Sequence, residues 1–159
     1  MKFNSALRNF VLVLFSTLLI SACSTAKKAA VDTVDDVYTG TDTVEYLAKG
    51  VPDRVFFATN KSKLTTRSRD TLRKQATWLR KNKDVTVTVE GHADERGTRE
   101  YNLALGERRA NAAKDYLMTY GVSGKRMTVI SYGKEKPVNP ASTPLAWSQN
   151  RRSVTIKTN

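Results

Sequence analysis

Apolar and polar positions fall into three regimes along the chain. From Asn9 to Ala22 runs an uncharged stretch in which Phe10 to Phe15 and Leu18 to Ile20 are all apolar. From Ser24 to about Pro52 no apolar period is sustained, and Thr, Asp, Ala and Gly dominate. That is the composition of a flexible segment, although a short helix through Val31, Val34 and Tyr38 also fits the spacing. Beyond Pro52 the pattern becomes regular, and Arg54-Val55-Phe56-Phe57 reads as a short strand. Leu64-Thr65-Thr66 then offers an N-cap, followed by Leu72, Ala76 and Leu79 at i, i+4 and i+7. This is the stripe of an amphipathic helix, ending near Asn82. Val85 to Val89 alternates strictly with Thr, which predicts a strand with one buried face. A second helix spans Thr98 to Tyr120 with Leu103, Ala110, Ala113 and Leu117 inward, closed by Gly121. Met127 to Ser131 is a third strand, and Ser153 to Lys157 a fourth, with Val154 and Ile156 on one face. Between these two lies a loop containing Pro137, Pro140 and Pro144. The order β-α-β-α-β-loop-β predicts an α/β domain of the α+β sandwich kind, with two main helices packed on a mixed four-stranded sheet and right-handed helical crossovers.

Composition and charge narrow the picture. With 159 residues the chain is long enough for one domain with appendages. The formal charge is +12, and its distribution is uneven. Residues 1–23 carry two bases, residues 24–53 carry three bases against six acids, and the remainder therefore carries +13. Long-range attraction will draw such a domain towards polyanions, whether nucleic acid, anionic lipid or acidic wall polymer. The charge alone does not choose among them.

The first regime reads as an address. Lys2 and Arg8 precede the apolar run, which is short for a membrane span of about 20 residues, and together they have the layout of an export signal. It ends in Leu19-Ile20-Ser21-Ala22-Cys23, small residues before the single cysteine of the sequence. One cysteine cannot form an internal disulfide, so its place at a cleavage-like site suits modification better than packing. The segment resembles the lipobox of bacterial lipoproteins. That resemblance implies removal of residues 1–22, lipidation of Cys23, and, from Ser24 at the following position, delivery to the outer membrane. Each buried acyl methylene contributes about 0.8 kcal/mol, so two or three chains anchor essentially permanently. Residues 23–52 would then be a tether, about 30 Å long as a coil and at most about 100 Å extended.

The second strand runs into Glu90-Gly91-His92-Ala93-Asp94-Glu95-Arg96-Gly97-Thr98, and the next helix contains Asn102-Leu103 and Arg108-Arg109-Ala110-Asn111. In these stretches, together with "RVFF", "ISYGKEKP" and "QNRRSV", residues 53–159 resemble the OmpA-like peptidoglycan-binding domain. Within it the likeness is greatest to the peptidoglycan-associated lipoproteins. The resemblance implies that the chain grips the stem peptide of uncrosslinked peptidoglycan through meso-diaminopimelate. By family spacing it assigns the grip to Asp94 and Arg109, fifteen residues apart. It places Asn102 on the stem peptide and makes Phe57, Ala58, Thr59 and Asn60 another wall, where many relatives carry Asp in place of Ala58. It leaves Arg151 to either the ligand or the framework. The chemistry is coherent by itself. The free end of diaminopimelate is an ammonium and a carboxylate on one carbon, so it needs an acid and a base. Asp94 would accept from the ammonium, and Arg109 would clamp the carboxylate in bidentate fashion. Asp94 also precedes a helix, whose free N–H groups would help to hold an anion.

Other readings are weaker. Asp94 and Arg109 could merely pair with each other at the surface. His92 is the single histidine, so a catalytic relay or a zinc site would lack members, and it reads as a packed or loop-ordering residue. Glu90, Asp94 and Glu95 could be imagined as glycosidase acids, but adjacent acids point apart and nothing in the sequence raises a pKa. Gly91 and Gly97 bracket a loop without the Gly-Lys-Ser/Thr ending of a phosphate cradle. The expectation is therefore a binding module, not an enzyme, without cofactor or metal. Its partners would be peptidoglycan, outer-membrane lipid through Cys23 and, by the resemblance, the periplasmic protein TolB and the Tol complex. Nucleic acid is not expected, because no base-stacking motif accompanies the charge.

Overall fold

The computed structural model describes residues 36–159. The segment read as an export signal, Cys23 and the first part of the segment read as a tether lie outside the described residues. Six strands and three α-helices follow in chain order: β1 (Tyr46–Ala48), β2 (Val51–Pro52), β3 (Arg54–Phe56), α1 (Thr66–Lys81), β4 (Val87–His92), α2 (Arg99–Thr119), β5 (Met127–Gly133), α3 (Pro144–Asn150) and β6 (Arg152–Lys157). The main sheet has the order β3-β6-β4-β5. In it β4 and β5 are parallel while β6 runs antiparallel to both β3 and β4, which is the expected mixed sheet.

Local chemistry places the helices. Thr65 caps α1 by accepting from the Ser68 N–H, and Thr98 caps α2 by accepting from the Tyr101 N–H, each satisfying a donor that the first turn leaves free. Arg80 and Lys81 in the last turn of α1 face the negative end of its dipole. Gly121, at φ +82°, ends α2 in the left-handed region. Both helices bury their stripes against one face of the sheet. Leu72, Ala76 and Leu79 of α1 and Ala110, Ala113 and Leu117 of α2 form one core with Val55, Val87 and Val89.

Three features depart from the sequence pattern. Part of the segment read as tether is folded: β1 and β2 form a hairpin, Leu47 enters the core, and the Tyr38 ring packs edge-on against Phe56 at 4.8 Å. Tyr38 is not in a helix. The strands are too short to show a period, which is why pattern alone misses them. The proline-containing loop holds α3, started by Pro144 just inside a Thr143 cap, a position where proline costs nothing because that N–H is free anyway. Val154 and Ile156 share a face as expected, but it is the face away from the helices, beside Glu90, Arg54 and Arg152. The helix-facing side of β6 is polar instead, and the Thr155 hydroxyl donates to Gln75 Oε1 of α1 at 2.9 Å.

Helix α2 lies unusually close to the sheet. A Cβ built on Gly91 in β4 would stand 1.8 Å from the Gly106 carbonyl oxygen, and one on Gly106 would stand 2.4 Å from Ser131 Oγ. The two glycines therefore let backbone meet backbone, which sets the height of α2 over the end of β4. Gly91→Ala must push helix and strand apart and is expected to destabilise the domain by roughly 3 kcal/mol. Gly50→Ala, with open space around it but φ +73°, should cost only about 1 kcal/mol. Urea unfolding midpoints of the two variants check the contrast.

Candidate functional site

Three segments converge at one end of the main sheet: residues 57–61 after β3, residues 93–97 after β4, and Arg151 just before β6. Arg109, reaching up from the middle of α2, ties them together. Its Nε donates to the Lys61 carbonyl at 2.9 Å, Nη1 to the His92 carbonyl at 2.8 Å, and Nη2 to the Ala58 carbonyl at 3.1 Å. The guanidinium is completely buried and lies 5.3 Å from the Phe57 ring centre. Burial, with Arg151 nearby, pushes its pKa down to about 10, so it stays charged at neutral pH. Of the five N–H donors of a guanidinium, one on each terminal nitrogen remains beyond these three bonds.

Asp94 is held from both sides. Its Oδ1 accepts from the Arg96 backbone N–H at 3.1 Å and from Arg96 Nε at 3.1 Å. Its Oδ2 accepts from Arg96 Nη2 at 2.7 Å and from Arg151 Nη1 at 3.3 Å. Burial works against the charged form, yet the Arg96 hydrogen bonds and Arg151 outweigh it and hold the carboxyl below its ordinary range. Asp94 and Arg109 form no ion pair with each other, so the surface-bridge reading does not describe them. The amide that serves Asp94 belongs to the loop and not to the first turn of α2, which begins only after Thr98.

The remaining assigned residues divide. Thr59 is partly exposed at the cleft, where its hydroxyl accepts from Arg96 Nη2 at 3.3 Å. Asn60 is exposed beside it, in the left-handed region at φ +54°. Phe57 is wholly buried in the core and backs the loop instead of lining it. Ala58 contributes its carbonyl to Arg109. Asn102 is buried and donates to the Arg96 carbonyl at 2.9 Å, fastening the loop that carries Asp94. Arg151 is a framework residue on one side, donating from Nε to the Phe57 carbonyl at 3.0 Å, and a cleft residue on the other.

Asp36, Arg96 and Trp147, which the sequence did not single out, complete a cleft of about 420 Å³ with Thr59 and Arg151. Arg96 lies 4.4 Å over the Trp147 ring, whose Nε1 donates to Glu95 Oε1 at 2.8 Å. The one available signal was Arg96 two places after Asp94. Asp36 and Trp147 are distant in sequence and reach the site only through folding. His92 sits on the opposite side of the sheet, fully buried, stacked on Tyr132 with Nε2 3.2 Å from Glu90 Oε2. Among the described residues no group of three His, Cys, Asp or Glu side chains could hold a metal ion.

Residues 56–151 match the OmpA family model. The chain is 57% identical over 106 residues to the peptidoglycan-associated lipoprotein of Rhizobium meliloti, covering 67% of this chain and 60% of that protein. It is 43% identical over 150 residues to the protein of that name from Brucella melitensis, covering 91% of this chain and 89% of that protein. The crystal structure of the peptidoglycan-associated lipoprotein from Burkholderia pseudomallei superposes with a TM-score of 0.65 at 35% identity, over 67% of this chain and 90% of that one.

Burial, with the positive charges of Arg152, Lys136 and Arg54, pushes the His92 pKa from 6.5 down to about 3. Between those values the unfolded chain binds a proton that the folded chain refuses, so stability falls as pH is lowered from about 6.5 towards 3. The slope from this one group is up to about 1.4 kcal/mol per pH unit. Wild-type protein should therefore lose about 2 to 3 kcal/mol between pH 6.5 and 4.5. His92→Gln, which has no proton to refuse, should lose much less when urea midpoints are compared across that range.

Proposed function

The chain belongs to the OmpA family, and from that premise we propose that it binds peptidoglycan without catalysis and links the wall to the outer membrane. The observation that carries the reading is a carboxylate bonded to a guanidinium at the wall of one cleft, Asp94 to Arg151 at 3.3 Å, with the buried Arg109 fastening the loop behind them through the Ala58 and Lys61 carbonyls. The free end of diaminopimelate presents an ammonium and a carboxylate on one carbon. Asp94 receives the ammonium, Arg151 faces the carboxylate with the remaining N–H groups of the buried Arg109 behind it, and Thr59 and Asn60 border the rest of the peptide. Asn102 acts through the loop, holding the Arg96 carbonyl and with it the approach to Asp94. Phe57 and Ala58 shape the wall from behind.

A hydrolytic role finds no support in the site. A general acid needs a raised pKa, and Asp94 is held low. Residues 1–22 act as the export signal, Cys23 as the lipid anchor, and the segment up to the hairpin as a tether that lets the domain face the periplasm and reach the wall. Family membership extends the reading to TolB and the Tol complex as partners, and to support of outer-membrane constriction during cell division.

Asp94→Asn keeps the size of the side chain and removes the charge that would meet the ammonium. We expect retention on purified sacculi to fall at least about tenfold, a loss of about 1.4 kcal/mol. Wild-type retention by this variant would defeat the assigned site. In a separate measurement, wild-type protein grown with radiolabelled palmitate should incorporate the label and Cys23→Ala should not. Wild-type protein without label would defeat the lipid attachment.

A further inference from the structure

The cleft just assigned to the wall peptide already holds a carboxylate, and it comes from the chain itself. Asp36 Oδ2 accepts a hydrogen bond of 2.6 Å from the Thr59 backbone N–H, twenty-three residues away. Arg151 Nη2 stands 3.5 Å from the same oxygen and also donates to the Asp36 backbone carbonyl. A backbone N–H and a guanidinium converging on one carboxylate form a set that would receive the carboxylate of any peptide in the same way. We propose that Asp36 is a built-in competitor for the stem-peptide carboxylate, so that the wall ligand must displace the chain's own N-terminal segment to occupy its site. The inference rests on the peptidoglycan-binding reading given above.

The geometry favours a displaceable contact over a structural one. The Asp36 side chain is 43% exposed, and the residue belongs to no strand or helix. Two residues later the chain is pinned, because Tyr38 is buried against Phe56. A carboxylate hinged on such a pin stays within reach of Thr59 whether bound or released. Its effective concentration is then of the order of mM, which a free ligand must exceed. Burial opposes the charge on Asp36, but the Thr59 N–H, Arg151 and Arg96 outweigh it and hold the pKa below the ordinary carboxylate range. The competitor is therefore fully ionised at neutral pH. Its neighbour Arg96 is itself 43% exposed and closes Asp94 in the same way. Both charges that the ligand needs are thus covered by groups that can swing away.

Occupancy by Asp36 reduces the fraction of binding-competent protein, and apparent affinity falls in proportion. The test uses the full chain as wild type, Asp36→Ala and Asp36→Asn, titrated with a soluble muropeptide ending in meso-diaminopimelate, and Asp94→Asn as a control for the site. Asp36→Ala should bind roughly three- to tenfold more tightly than wild type, with Asp36→Asn between them. Equal affinity of all three, with binding still lost in Asp94→Asn, overturns the competitor and leaves the peptidoglycan reading standing. Weaker binding by Asp36→Ala also overturns it, since Asp36 would then be a ligand group. Absence of binding in every protein overturns both readings together. A ligand-free measurement reads the contact directly: hydrogen exchange at the Thr59 amide should be protected in wild type and faster in Asp36→Ala. The same rate in both overturns the proposal.

Discussion

A single buried guanidinium holds the cleft end of this domain together. Taking a charge out of water costs several kcal/mol unless it is closely matched. Arg109 meets that cost without a carboxylate bonded to it, through charge-assisted bonds to the carbonyls of Ala58, Lys61 and His92. Those oxygens belong to the loop after β3 and to the end of β4. The loop and the strand end can coexist at one end of the sheet because the same planar fork satisfies both. Lysine, with a point charge on a flexible stem, could not span them. Residues that look like ligand groups in the sequence, such as Ala58, matter here through their backbone.

The helix that carries Arg109 must lie at the right height, and two glycines set it. Gly91 and Gly106 leave no room for a side chain between α2 and β4. Once that contact is made, Asn102 and Arg109, seven residues apart on α2, reach the ends of the sheet from the same side. The core beneath is ordinary aliphatic packing. The specificity of the arrangement lies at the strand ends, where polar groups are buried in number and most are paired, His92 Nδ1, Arg152 Nε and Ser153 Oγ being exceptions.

Charge is organised at two scales. The exposed side of α1 carries Arg67, Arg69, Arg73, Lys74, Arg80 and Lys81, which give the domain a long-range attraction for polyanions. Within the cleft the charges are short-range and closely matched: Asp94 lies between Arg96 and Arg151, and Asp36 lies against Arg151. In the function proposed above, a zwitterion enters such a cleft by replacement, its ammonium taking the place of Arg96 on Asp94 and its carboxylate the place of Asp36 on Arg151.

Much of this was legible in the chain. The cap signal in Leu64-Thr65-Thr66, the stripe of Leu72, Ala76 and Leu79, the inward positions from Leu103 to Leu117 and the alternation up to Val89 determined the two helices and the central strand, because helix and strand periods are local properties of the side-chain order. The stretch from Glu90 to Asn111 placed Asp94, Asn102 and Arg109 in one neighbourhood. What the order of residues did not decide was which partner each charge would take. Asp94 chose Arg96 and Arg151, Arg109 chose carbonyls, and Asp36 crossed twenty-three residues to Thr59. The hairpin, helix α3 and the polar inner face of β6 were likewise hidden, since two- and three-residue strands carry no period and Thr155 is inward only because Gln75 waits there. Local structure follows from near neighbours along the chain; the pairing of buried charges follows from distances that exist only after the layers have closed.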